Sequence, residues 1–530
     1  MTEDRHLHDE LAANSARVIA ETKFGPIKGG RAANNCAVWL EIPYALPPGR
    51  FEDPKPLPDN FRYEDQEYIK ESSYCAQPTN DGQASSRAVD NNLKPTSREW
   101  NEHRYTVPGQ SGAREANRES FGSPHGLKGQ GQYVSAEREE VRVNIGYRLS
   151  AFGFLASDQP KINGNFGFKD QWLALKWCSE NIDRFGGLSK FPLALGNESM
   201  KSLAGDPENI QILGLSAGAH SVHQILHHVS RLPEGMRAPF KSAVLMSNAI
   251  VLKPKSPHEL RPQFEALCRV LDLDPKDPNI LDIMRDSSRV SASKITHVIE
   301  TDKIGTEYGT FRGCLDDNWM AMDPDPMAWH TSGQFASNLL AKGVKSVVVG
   351  DLKDEWYLYS IAHPIPTPAG IKPNLERYYP EDMVDRMVKK YRTLPDNATE
   401  EASMRLFGEV LSDFQVHFPV RLLARDLHSV GYPILRYQVR WTPEQNRPKG
   451  YVTHATDSCL WHLRIPVLEP DQVPIAKSWL ERIESEVQIL EADGKPARPV
   501  TQVLTLKEDK KIEWCEDPEW EEKIRLLDVL

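Results

Sequence analysis

The segment best suited to covalent chemistry is Gly214-Leu215-Ser216-Ala217-Gly218, a serine between two spaced glycines. A G-x-S-x-G pattern does its work on a sharp strand-to-helix turn. The turn lifts the serine hydroxyl out of the sheet, and Gly214 and Gly218 let the two backbones approach. The N–H of Ala217 then faces the place where an oxyanion would form. The local sequence suits this turn, because Ile210–Leu213 reads as a buried strand and Ala219–His227 as a helix. A serine nucleophile needs a base, and the base needs an orienting carboxylate. The chain offers 16 histidines and 75 carboxylates. Positions just beyond strands narrow the field to Glu355, past the strand Lys345–Val349, and His454, in the loop past the strand Ile434–Val439. Position alone leaves two readings open for each: a functional group, or an ordinary surface carboxylate and loop histidine.

The elements that must carry these residues read as strands separated by helices. After Ile210–Leu213 come the strand Ala243–Met246, the helix His258–Leu271, the strand Lys345–Val349, the helix Glu401–Leu427 and the strand Ile434–Val439. Upstream, Val141–Tyr147 reads as a strand and Phe168–Phe185 as a helix with a broad apolar face. Residues 517–530 read as a charged amphipathic helix, and the first 80 or so as a small antiparallel β region. This alternation predicts an α/β class with a mostly parallel central sheet flanked by helices. Two segments break the pattern. Residues 85–133 contain 11 apolar residues in 49 against 39% for the chain, which predicts disorder, and 188–204 reads as an irregular insertion before the strand that leads to Ser216.

Composition excludes several function classes. The 530 residues carry a net charge of −11, so nucleic acid is not an expected partner. No apolar run reaches the roughly 18 residues that span a bilayer. The opening Met1-Thr2-Glu3-Asp4-Arg5-His6 lacks an apolar stretch, and the seven cysteines form no framework, so a cytoplasmic location is expected.

Taken in order, several motifs resemble those of the type-B carboxylesterases, the group that includes cholinesterases and related lipases. They are Ile42-Pro43-Tyr44-Ala45 with Arg50-Phe51; Asn144 to Leu149 with Phe152 to Leu155; Gly164-Asn165-Phe166-Gly167 with Asp170-Gln171; the Ser216 turn; Asp354-Glu355; and Gly450 to His454 with Asp457. The resemblance implies one α/β-hydrolase domain over residues 15–530. It implies a triad of Ser216, Glu355 and His454, with Ala217 as an oxyanion donor, acting through an acyl-enzyme without metal or organic cofactor. The implied substrate is a small-molecule or lipid ester. Cholinesterases carry a Glu where this chain has Leu215, which points to an uncharged ester. A monomer or weak homodimer is expected. The family's His-Gly-Gly oxyanion loop has no counterpart, since His125-Gly126-Leu127-Lys128-Gly129 follows Ser-Pro rather than an apolar strand. Cys75 resembles half of a family disulfide but has no recognisable partner. These departures raise an alternative: a catalytically impaired, esterase-like interaction protein, or the product of a faulty reading frame near 85–133 and 188–204.

Overall fold

Strands rich in Val, Ile and Leu build the main sheet. They are β7 (Gln211–Leu215), β8 (Ser242–Met246), β9 (Ser346–Leu352), β10 (Ile434–Val439), β11 (Gln502–Leu506) and β12 (Ile512–Glu516). The spatial order is β12-β11-β10-β9-β8-β7. β7 to β11 run parallel and β12 closes the edge antiparallel. Nearly every residue of β7 to β10 is buried, as expected where helices cover both faces of a parallel sheet. Before it lies a small antiparallel sheet of β1 (Arg17–Thr22), β2 (Gly25–Arg31), β3 (Ala37–Pro43) and β6 (Thr106–Gly109). The two-residue strands β4 (Ala45–Leu46) and β5 (Lys55–Pro56) pair alongside. The expected α/β class, with a mostly parallel sheet and a small N-terminal β region, is the architecture observed.

This computed structural model describes residues 6–71, 76, 106–109, 130–185 and 205–530. Nearly all of 85–133, all of 188–204, Cys75 and the His125–Gly129 string lie outside the described residues.

Three elements differ from the sequence expectation. Val141–Tyr147 carries a single bridge, at Val143, and forms no ladder among the described residues. Side chains hold its end instead: Tyr44 Oη donates to the Gly146 carbonyl at 2.7 Å, and the Arg148 guanidinium forks onto the buried Asp170. The helix anticipated over 401–427 is Glu400–Ser412, a π turn over Asp413–His417, and Phe418–Ser429. Pro419 lacks an N–H and its ring crowds the carbonyl four residues back, so the preceding turn widens. The hairpin β11–β12 was not anticipated at all.

That π turn points His417 at the end of β9. Asp351 accepts from His417 Nδ1 at 2.9 Å and from Arg421 Nη1 at 2.8 Å. Arg421 also reaches Asp517, which pairs with Arg436 of β10. Burial alone would raise the Asp351 pKa, but Arg421 and His417 outweigh it and hold the carboxyl well below the usual carboxylate range. The network fixes the C-terminal end of β9, from which the next functional loop departs.

Candidate active site

The parallel register sets up the site. Leu215 of β7 lies beside Met246 of β8, Met246 beside Gly350 of β9, and Gly350 beside Tyr437 of β10. Ser216, Glu355 and His454 all follow the C-terminal ends of these strands, where open α/β sheets place their ligands. Two strand steps of about 4.8 Å separate the Ser216 strand from the Glu355 strand.

Ser216 sits between β7 and the helix Ala217–Ser230, with φ 60° and ψ −123°. A non-glycine residue held there stores strain of about 1–3 kcal/mol. The strain persists because the crossing over-determines it. A Cβ on Gly214 would lie 2.1 Å from the Gly218 carbonyl oxygen, so only glycine fits. Ser216 N donates to Met246 O at 2.8 Å, and His220 N donates to Ser216 O at 3.0 Å. The Ser216 residue itself is half-buried. The Ala217 and Gly218 amides open the helix, where first-turn N–H groups lack intrahelical acceptors.

The acid and the base are built as one unit. Glu355 Oε1 accepts from Leu352 N at 3.1 Å, and Oε2 is 2.7 Å from His454 Nδ1. Neither side chain touches solvent. Asp354 clamps the two loops together: its N–H donates to Val452 O at 2.9 Å, and its Oδ2 accepts from Val452 N at 3.0 Å. Leu358 N donates to Thr453 Oγ1 at 3.3 Å. The Tyr359 ring meets His454 edge-on at 5.9 Å. His454 Nε2 is buried with no hydrogen-bond partner among the described residues, so Ser216 and His454 are not hydrogen-bonded to each other. Catalytic hydrogen bonds are often long in ligand-free enzymes and tighten with substrate.

Asp457, three residues after His454, lies within electrostatic reach of this pair. It is fully buried, accepts from Trp461 Nε1 at 2.9 Å, and its Oδ1 has no hydrogen-bond partner among the described residues. Burial, reinforced by the charge of Glu355, pushes its carboxyl up to about 7. The sequence flags Asp457 only as part of a motif, and its electrostatic position is a structural finding. The Asp354 clamp was likewise missed, although an acid next to the candidate acid was a visible signal.

The model of the carboxylesterase family matches residues 118–190 and 193–484. The chain belongs to the carboxylesterase family. An uncharacterized esterase/lipase of Schizosaccharomyces pombe is 26% identical over 406 residues, 71% of this chain and 69% of that protein. A carboxylic ester hydrolase of Gibberella moniliformis is 25% identical over 531 residues, 91% of this chain and 90% of that one. Among solved structures, a PNB esterase superposes with a TM-score of 0.69, covering 96% of this chain and 99% of its own at 20% identity. As a carboxylesterase with the α/β-hydrolase fold, the chain falls in the carboxylic ester hydrolase class. Among the described residues, no helix is long and apolar enough to cross a membrane.

Proposed function

We propose that Ser216, His454 and Glu355 hydrolyse an uncharged small-molecule or lipid ester through an acyl-enzyme. The observation that carries this reading is the 2.7 Å contact of His454 Nδ1 with Glu355 Oε2, with both side chains sealed from water. A carboxylate there keeps the proton on Nδ1 and leaves the Nε2 lone pair free to act. In the first half-reaction, Ser216 Oγ bonds to the ester carbonyl carbon while its proton moves to His454 Nε2. The carbonyl oxygen gathers negative charge and takes hydrogen bonds from the Ala217 amide at the head of its helix. Collapse breaks the bond to the alcohol, which leaves with the proton from Nε2. Water then enters and its oxygen bonds to the acyl carbon while its proton moves to Nε2; the bond from that carbon to Ser216 Oγ breaks, Oγ takes the proton back from Nε2, and the acid leaves. Leu215, buried beside the nucleophile, offers no charge to a cationic substrate. The catalytic unit in this reading is one domain over 15–530, cytoplasmic and a monomer or weak homodimer.

A second reading, an impaired esterase-like interaction protein, is favoured by one feature. Among the described residues β7 is the outermost strand of its sheet, and the helix-opening amides are the assignable oxyanion donors. Loss of one donor costs about 10²–10³ in rate. Fluorophosphonate labelling together with hydrolysis of a short-chain p-nitrophenyl ester separates the readings. Labelling that disappears in Ser216→Ala supports the enzyme. A folded chain that neither labels nor hydrolyses supports the second reading.

A further inference from the structure

A different ligand set stands at the N-terminal sheet. His6 precedes the short helix Leu7–Ala13 and His8 lies in its first turn. Glu71 follows a stretch that runs beside β2 and β3: Tyr68 N donates to Lys28 O at 2.7 Å, and Leu40 N donates to Tyr68 O at 2.7 Å. Apolar packing brings the two pieces together. Leu7 and Leu11 bury against Ile69, Val38 and Leu40 in a small core separate from the one holding the acid–base loops.

That packing converges three donors. His8 Nδ1 is 2.9 Å and His6 Nδ1 3.3 Å from the same Glu71 oxygen, Oε2. Among the described residues, this is the one group of three such side chains whose donor atoms lie within 4.8 Å of one another. A tetrahedral ion with bonds of about 2.0 Å has ligand–ligand edges of about 3.3 Å, and the spacings of the two imidazoles from Glu71, 2.9 and 3.3 Å, are close to such edges. The Glu71 side chain is only 1% exposed and the His6 side chain 11%, while His8 at 31% leaves an approach from solvent. His8 also shows the outer-shell arrangement of a ligating imidazole. Its other nitrogen, Nε2, lies 3.2 Å from Asp9 Oδ1, which fixes the ring and directs Nδ1 inward.

We propose that His6, His8 and Glu71 bind a divalent transition-metal ion of the zinc type. Two imidazoles and one carboxylate form a zinc donor set that leaves a fourth position for water. The ion would staple the first helix to the antiparallel sheet, bridging residues 63 and 65 positions apart. A borderline-soft ion is favoured over Ca²⁺ or Mg²⁺, which demand shells of oxygen ligands.

The test uses the full chain, free of any polyhistidine tag and stripped with chelator. Calorimetric titration with Zn²⁺ should show one site with Kd at or below about 1 μM, weakened at least tenfold in His8→Ala and in the near-isosteric Glu71→Gln. The parent's unfolding midpoint should rise with Zn²⁺, and those of the variants should not. Unchanged ester hydrolysis in the variants would show that they are folded. A second measurement needs no variant: Zn²⁺ should protect His6 and His8 from carbethoxylation, read by peptide mass spectrometry. The proposal is overturned if no site tighter than about 100 μM appears, if both variants bind like the parent, or if His6 and His8 react equally with and without Zn²⁺.

Discussion

Replacing Glu355 with Gln tests the proposed triad at its most constrained contact. The substitution keeps the volume and exchanges one oxygen for an NH₂ group. Glu355 now accepts on both oxygens, from His454 Nδ1 at 2.7 Å and from Leu352 N at 3.1 Å. The amide cannot accept on both sides. If its NH₂ faces His454, the imidazole must present a bare Nδ1 and carry its proton on Nε2, the tautomer that cannot receive a proton from Ser216. If its NH₂ faces Leu352, two donors meet in a site closed to water, at a cost of about 1–3 kcal/mol. The first arrangement avoids that cost and therefore prevails. A wrong-tautomer base lowers kcat by about 10⁴, a barrier increase of about 5.5 kcal/mol. Steady-state hydrolysis of p-nitrophenyl butyrate should show this fall with KM nearly unchanged, and fluorophosphonate labelling should slow in parallel. Circular dichroism and the denaturation midpoint would establish that the variant is folded. A kcat within tenfold of the parent would falsify the role assigned to Glu355.

Other positions give further expected outcomes. Asp354→Ala removes the acceptor for Val452 N, so stability should fall by about 1–2 kcal/mol and kcat should fall as the base loop loosens, read by urea titration and ester assay. Gly214→Ala forces a Cβ to 2.1 Å from the Gly218 oxygen, and the expected result is insoluble or inactive protein. Because the Asp457 pKa is raised to about 7, the native state holds a proton that the unfolded chain has released above about pH 4. Stability from this group is complete below about pH 4 and lost as pH rises towards 7, so Asp457→Asn should gain on the parent by at most about 4 kcal/mol at pH 8 and by nothing near pH 4, in denaturant titrations. Asp351 has the opposite sign: its depressed pKa gives stability that is present above about pH 4 and lost as pH falls further. Asp351→Asn should cost about 3–5 kcal/mol near neutrality by leaving Arg421 underpaired, and should flatten the acid limb of the stability profile.

The parallel strands were legible because their sequence reflects burial on both faces. Val347, Val348 and Val349 or Ile434 and Leu435 have few other uses in a chain this polar. The Ser216 turn was legible because its glycine requirement is steric and local. Glu355 and His454 were not separable from other acids and histidines until motif resemblance was added, because the contact between them spans 99 residues. The hairpin β11–β12 was missed although Val503 and Leu504 precede the turn residues Glu508 and Asp509. Its second strand, Ile512-Glu513-Trp514-Cys515-Glu516, is partly exposed and reads as charged surface. The strand expected at Val141–Tyr147 shows the reverse failure. Its apolar residues are mostly buried, but burial does not supply a ladder partner.

The reciprocal pairing of Asp354 with Val452 has a consequence for how the molecule breathes. The amides of Leu352, Asp354, Leu358 and Val452 are all committed to bonds within the acid–base loops, and both side chains they surround are dry. Amides held in this way exchange with deuterium more slowly than those of open surface loops. The imidazole and its carboxylate therefore belong to the slow-exchanging heart of the protein rather than to its mobile rim.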